Sequence, residues 1–226
     1  MKADLARRLA AELFGSLVLA GTVIGSGILA VQLSGGNAAV ALIGNTGATA
    51  AMLYVLIEAL GPISGAHFNP AVSLVMTLRR ELPMAEFVLY ALVQVAGCVL
   101  GAALAHAMFS LPLLQGATTD RGGAGRMLAE GVATFALVAA ILLVSRARPN
   151  ATPAAVALVI AAGYWWTSST SFANPAITVA RALSDTFAGV RPADVPGFVI
   201  AQFAGALAAA GACGWLISRL PAPATR

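Results

Sequence analysis

The sequence predicts an all-α membrane protein of six spanning helices and two re-entrant half-helices, built as an inverted internal repeat. Three observations lead there. The 226 residues are 59% hydrophobic and only 10% charged, with a mean hydropathy of +0.87, too little charge to keep a soluble domain of this size dispersed. Six apolar stretches are long enough to cross a hydrocarbon core of about 30 Å, and two more reach about half that length. An Asn-Pro-Ala tripeptide opens each short stretch, at Asn69-Pro70-Ala71 and at Asn174-Pro175-Ala176.

The long stretches are 9–31, 38–60, 84–109, 125–145, 152–170 and 194–217. The first follows a basic start and imitates a secretion signal. It is longer than a signal's apolar core and carries Glu12, so it reads as a retained span. The short stretches are 69–78 and 174–183. Ten residues rise about 15 Å as a helix, so two such pieces meeting end to end cover one membrane thickness. Irregular backbone survives at that depth only inside protein or against a watery cavity, so paired re-entrant loops imply a polar path.

A basic isoelectric point near 9.7 can signal nucleic acid. Here the 13 Lys and Arg residues lie between apolar runs, so they read as topology determinants and not as a nucleic-acid stripe. Six spans put both termini on one side. That side gathers Lys2, Arg7, Arg8, Arg79, Arg80, Arg146, Arg148, Arg219 and Arg226, against Arg121, Arg126, Arg181 and Arg191 opposite. The excess places both termini in the cytoplasm of a multi-pass protein of the cell membrane. Cys98 and Cys213 lie in apolar runs and read as packing residues, not as a disulfide framework. The two histidines, His67 and His106, make no metal cluster, and no cofactor is expected.

The chain reads as one domain, residues 1–226, whose halves (1–115 and 120–226) repeat. Ala11-Glu12 recurs as Ala129-Glu130, Ser64 to Ala71 as Ser169 to Ala176, and Gln94 with Gly97 as Gln202 with Gly205. Three spans per half, an odd number, invert the second copy relative to the first. Inverted repeats place a functional site near the midplane, at the ends of broken helices.

Asn is a favoured N-cap, and Pro suits the first helical position because the N–H it lacks is one that would go unused. With Asn69 and Asn174 capping through oxygen, each side-chain NH₂ is left to face a passing solute. Inversion turns the two positive helix ends toward each other, which opposes a cation and offers a neutral hydroxyl two donors.

On these motifs the chain resembles the major intrinsic protein (aquaporin and aquaglyceroporin) family over nearly its whole length, most closely from Ser64 to Val72. The resemblance implies an aquaporin-like bundle, assembled as a homotetramer in the lipid bilayer, with one pore per subunit that excludes protons and cations. It implies that Glu12 and Glu130 anchor the re-entrant loops, since an intramembrane acid needs such partners. It also implies that backbone carbonyls of Gly65, Ala66 and His67 line half of the pore. The His67 ring then reads as a packing and hydrogen-bonding element.

The chain departs from the family at the outer constriction. Where relatives carry Arg after the second Asn-Pro-Ala, this sequence has Ile177. By spacing, the other constriction positions are Thr49, Ala162 and Ser171. All four are smaller than an aromatic, which predicts a wider and less polar opening. That suits small neutral solutes larger than water, such as glycerol-like polyols, urea or neutral metalloid hydroxides such as arsenite, and the segment from Asn174 to Pro192 resembles bacterial channels associated with arsenic resistance. Arg181, one turn beyond Ile177 on the same face, either restores positive charge in the outer vestibule or snorkels to the interface. Glu58 either faces the pore or caps loop backbone near Gly61-Pro62, the structural role being favoured.

Small residues at Gly97, Gly101, Gly205, Gly211 and Gly214 suit close helix contact. Trp165 and Trp166 suit an interface, or alternatively the vestibule. The competing readings are a strict water channel and a proton-coupled transporter using Glu58. An enzyme built on Ser64 or Ser26 with His67 lacks a third orienting group.

Overall fold

The computed structural model describes residues 3–218; Lys2, Arg219 and Arg226, counted above for topology, lie outside the described residues. Eight α-helices and two single 3-10 turns, with no strand, make up the described residues. The long helices are α1 (Leu5–Leu33), α2 (Ala38–Ser64), α4 (Met84–Met108), α5 (Ala124–Ala147) and α8 (Val195–Ile217). Each is long and apolar enough to cross a membrane. The half-helices are α3 (Pro70–Leu78) and α7 (Pro175–Arg181).

The stretch expected as a sixth full span is shorter. Helix α6 is Thr152–Trp166, 15 residues, or roughly 22 Å. It is lengthened at its start by a 3-10 turn at Pro149–Ala151. Its end comes four residues before the predicted one, because the chain straightens at Thr167 (ψ 138°) to feed the loop leading to α7.

Glycine decides how closely the long helices approach. A Cβ on Gly97 would stand 2.4 Å from Leu13 O, and one on Gly101 2.2 Å from Leu17 O, so α4 lies against the backbone of α1. Gly205 of α8 meets α5 in the same way, its Cβ position 2.1 Å from Gly131 O. Close backbone approach through small residues is what packs helices where lipid offers no hydrophobic drive. Gly211 and Gly214, expected to share that role, have no neighbour within 4 Å of a built Cβ.

The half-helices tie the two halves together. α3 packs on α4 and also on α8, α7 packs on α8 and also on α4, and the two touch each other. Apolar side chains without a partner are spread over the outside, Leu92, Leu128, Leu158, Ile200 and Trp215 among them, the surface expected where lipid is the solvent.

Candidate functional site

Each half-helix starts as its residue types dictate. Asn69 and Asn174 stand in extended conformation as N-caps, with Pro at the first helical position. Asn69 Oδ1 accepts from Ala71 N at 2.9 Å, and Asn174 Oδ1 from Ala176 N at 3.0 Å and Ile177 N at 3.3 Å. The NH₂ groups are not wholly free, as the capping argument had supposed. Asn69 Nδ2 donates to Ala173 O at 2.7 Å, and Asn174 Nδ2 donates to Phe68 O at 2.8 Å. One hydrogen of each amide is thus committed across the contact, and one remains.

The loops that deliver these caps are backbone twins. φ is positive at Ala66 (51°) and Phe68 (48°), and again at Ser171 (51°) and Ala173 (48°). Left-handed backbone at non-glycine residues is costly and persists only where surroundings over-determine it. A buried glutamate does so in each loop. Glu12, fully buried, accepts from Ser64 Oγ, His67 N, Phe68 N and Gln94 Nε2 at 2.7–2.9 Å. Glu130, also fully buried, accepts from Phe172 N at 2.8 Å, Ala173 N at 2.9 Å and Gln202 Nε2 at 2.6 Å. Both glutamines reach on to a hydroxyl of the facing half-helix, Gln94 to Ser73 and Gln202 to Thr178.

A cavity of about 290 Å³ runs past both caps. Asn69 and Asn174 line it, as do Gly65, Ala66 and His67 on one side and Thr49, Ser171 and Ile177 on the other. One end carries Glu81 and the other Arg181, with apolar walls from Leu53, Val72, Leu137 and Ile160 between.

One sequence-derived expectation changes, and two open alternatives are decided. Ala162 does not line the cavity and is exposed on the outer face of α6. Counting back twelve residues overshoots the inward face: Gly163 backs onto Ser171, where a Cβ would lie 2.5 Å from Ser171 Oγ, and Tyr164 next to it lines the cavity. An aromatic therefore does stand beside Thr49, its hydroxyl 3.5 Å from Thr49 Oγ1. Glu58 is exposed on α2 and absent from the lining, so it faces away from the cavity. Trp165 and Trp166 are likewise outward, 50% and 58% exposed, and not in the vestibule.

Arg181 is 3% exposed and lines the cavity; it is not a residue snorkelling to an interface. Its guanidinium stacks on Phe172, 3.3 Å from the ring centroid, and its Nε donates to Ala188 O. Arg121 stands 5.2 Å from the same ring and donates from Nε to Gly189 O and from Nη2 to Phe187 O. From sequence, Arg121 counts only as a topology charge, Phe172 only as a member of the repeated Ser169 to Ala176 segment, and Tyr164 is not singled out. A Tyr inside an apolar run next to a glycine was the available signal for Tyr164.

Asp185, in the loop after α7, accepts from Thr118 N and Thr118 Oγ1, both at 2.8 Å. Those bonds, the backbone one first, hold its carboxyl below the usual carboxylate range. A depressed folded-state pKa means the clasp is fully present above the unfolded value of about 3.9 and is lost as pH falls through the lower folded value. Exchange of the Thr118 amide, corrected for its intrinsic rate, is expected to stay protected from neutral pH down to about 4 and to rise only below that. A rise near neutral pH counts against the clasp.

A family model described as major intrinsic protein matches residues 1–165, most of the chain. The chain belongs to the major intrinsic protein family. Among curated members it is 50% identical over 214 residues to aquaglyceroporin AqpS of Rhizobium meliloti, covering 95% of this chain and 91% of that one. It is 30% identical to probable aquaporin AqpM of Archaeoglobus fulgidus, over 97% of this chain and 99% of that one. Among solved structures, the X-ray structure of the aquaglyceroporin from Plasmodium falciparum shares the fold with a TM-score of 0.69, covering 96% of this chain and 97% of that one. At 20% identity that match speaks to the fold alone. The major intrinsic protein described here is a multi-pass membrane channel for small solutes, not an enzyme.

Proposed function

We propose that the channel passes small uncharged polyhydroxy solutes, glycerol-like polyols and neutral metalloid hydroxides such as arsenous acid, by facilitated diffusion. The solute path is the cavity. The spare N–H of Asn69 and of Asn174 offers two donors at its centre, where the facing half-helix starts disfavour cations. Glu12 and Glu130 hold the loops, and carbonyls of Gly65, Ala66 and His67 serve as acceptors on the Glu81 side. Thr49, Tyr164, Ser171 and Ile177 form the outer ring, with Arg181 above it. Both termini are cytoplasmic and the assembly is a homotetramer. The two halves, 1–115 and 120–226, act as inverted copies of one unit.

The observation that carries this reading is Ile177, 4% exposed and lining the cavity directly after the second Asn-Pro-Ala. An apolar side chain there neither binds nor repels a hydroxylated solute, and leaves room where relatives place a guanidinium. The high identity to an aquaglyceroporin supports it. Tyr164 narrows the ring relative to the four small residues expected from spacing, which favours solutes the size of glycerol or arsenous acid over bulkier ones. Proton coupling through Glu58 loses its basis because that side chain faces away from the cavity.

Stopped-flow shrinkage of proteoliposomes under glycerol, arsenous acid and water gradients tests it. Ile177→Arg is expected to reduce glycerol and arsenous acid flux about tenfold, equivalent to roughly 1.4 kcal/mol of added barrier, with less effect on water. If wild-type vesicles pass water but no larger solute, the channel is a strict water channel and the proposal fails.

A further inference from the structure

The cavity holds a charge asymmetry that passage of neutral solutes does not use. Among its lining residues only Arg181 and Glu81 carry charge, and they stand at opposite ends. Glu81 is paired with Arg79 at 2.8 Å and half exposed. Arg181 has no carboxylate partner. Its one hydrogen bond among the described residues leaves from Nε, to Ala188 O. The two terminal nitrogens have none, although the residue is 97% buried by its neighbours and opens onto the cavity.

A second cation reinforces it. Arg121, on the same Phe172 ring, is also bonded only to backbone carbonyls, those of Phe187 and Gly189. The nearby carboxyls are already occupied. Glu130 accepts from Phe172 N, Ala173 N and Gln202 Nε2, and Asp194 accepts from Arg121 N at 2.8 Å and Arg191 Nη2 at 2.9 Å. Two guanidinium groups thus share one aromatic ring without a countercharge in contact. A buried cation is normally paired, and a guanidinium presents its free N–H groups in a fork that fits two oxygens of a carboxylate or similar oxyanion.

We propose that the Arg181 terminal nitrogens form a binding site for a small oxyanion, a planar monocarboxylate such as formate being the simplest, and that an anion held there plugs the channel against neutral solutes. The anion stops at this point for a physical reason. Deeper in, the walls are largely apolar (Ile177, Ile160, Leu137, Val72 and Leu53), the groups left to replace its water are uncharged ones such as the asparagine amides and the hydroxyls of Thr49, Tyr164 and Ser171, and the charge at the far end is Glu81. An ion leaving Arg181 inward gives up its partner and its hydration for an apolar wall. A neutral polyol uses the same N–H groups without that penalty, so the two compete for one mouth.

The site rests on the channel reading only for its consequence, not for binding, and the experiment separates the two. Glycerol flux into proteoliposomes is measured at low ionic strength and neutral pH, with formate on both sides at about 20 mM, against formamide as the uncharged control. Formate is expected to slow flux about threefold in wild type, less in Arg181→Lys, which keeps the charge without the fork, and to have no effect in Arg181→Met. In parallel, thermal unfolding of the detergent-solubilised protein is expected to shift upward with formate in wild type and not in Arg181→Met. If glycerol does not cross wild type at all, the transport reading fails, and the unfolding shift alone decides the site. Equal formate sensitivity of wild type and Arg181→Met in both measurements overturns it, as does a formate effect matched by formamide.

Discussion

Glu130→Ala is expected to cost the protein on the order of 5 kcal/mol, because three buried donors lose their acceptor at once. Phe172 N, Ala173 N and the Gln202 amide all point at its two carboxyl oxygens, and a buried donor left without a partner costs about 1–3 kcal/mol each. The backbone effect adds to this. Ser171 and Ala173 hold positive φ, and with Glu130 gone nothing else described bonds the N–H groups of Phe172 and Ala173. The Asn174 cap, and the Arg181 guanidinium stacked on Phe172, then lose their platform. Glu130→Gln keeps one acceptor oxygen and turns the other into a competing NH₂, so it is expected to fall between parent and Ala. Thermal unfolding in detergent orders the three. If Glu130→Ala melts with the parent, the carboxyl is not what holds the loop. Flux is expected to vanish in Glu130→Ala even in any fraction that survives reconstitution.

This loop also shows how far sequence alone reaches. The pairing of Glu12 with one loop and Glu130 with the other was legible through the family resemblance, to which the recurring Ala-Glu and the need of an intramembrane acid for partners added support. So were the two N-caps, since Asn-Pro before an apolar run specifies its own geometry. What spacing could not give was rotation about a helix axis. Each residue along a helix turns the side chain about 100°, so an error of one position moves a prediction from cavity to lipid. Two positions separate Ala162 from Tyr164 on α6, with Gly163 seated on Ser171 between them. The Arg121–Phe172–Arg181 stack was hidden for a different reason. Its members come from two loops and a half-helix end, and no periodicity links residues brought together only by tertiary packing.

The second half is held together by more than hydrogen bonds, and glycine is where that can be tested. Gly205→Val is expected to be as disruptive as loss of a buried acid, because a Cβ there would sit 2.1 Å from Gly131 O and 2.8 Å from Gly131 C. A backbone carbonyl cannot swing aside as a side chain does, so α8 has to move away from α5. Overpacking of this kind costs typically 1–3 kcal/mol when a core can adjust, and more here, because the displaced helix carries Gln202 one turn away. Moving Gln202 breaks its 2.6 Å bond to Glu130 and its 2.8 Å bond to Thr178 of α7, so strain at a helix crossing arrives at the half-helix lining the cavity. Gly211 lies on the same helix with no heavy atom within 4 Å of a built Cβ, and valine is a better helix former than glycine. Gly211→Val is therefore expected to match or slightly exceed the parent in melting temperature, while Gly205→Val unfolds far earlier and transports nothing. Helix propensity predicts the same sign for both substitutions, whereas contact with α5 predicts opposite signs. If the two variants melt alike, backbone contact at Gly205 is not what seats α8, and the coupling from helix crossing to half-helix falls with it.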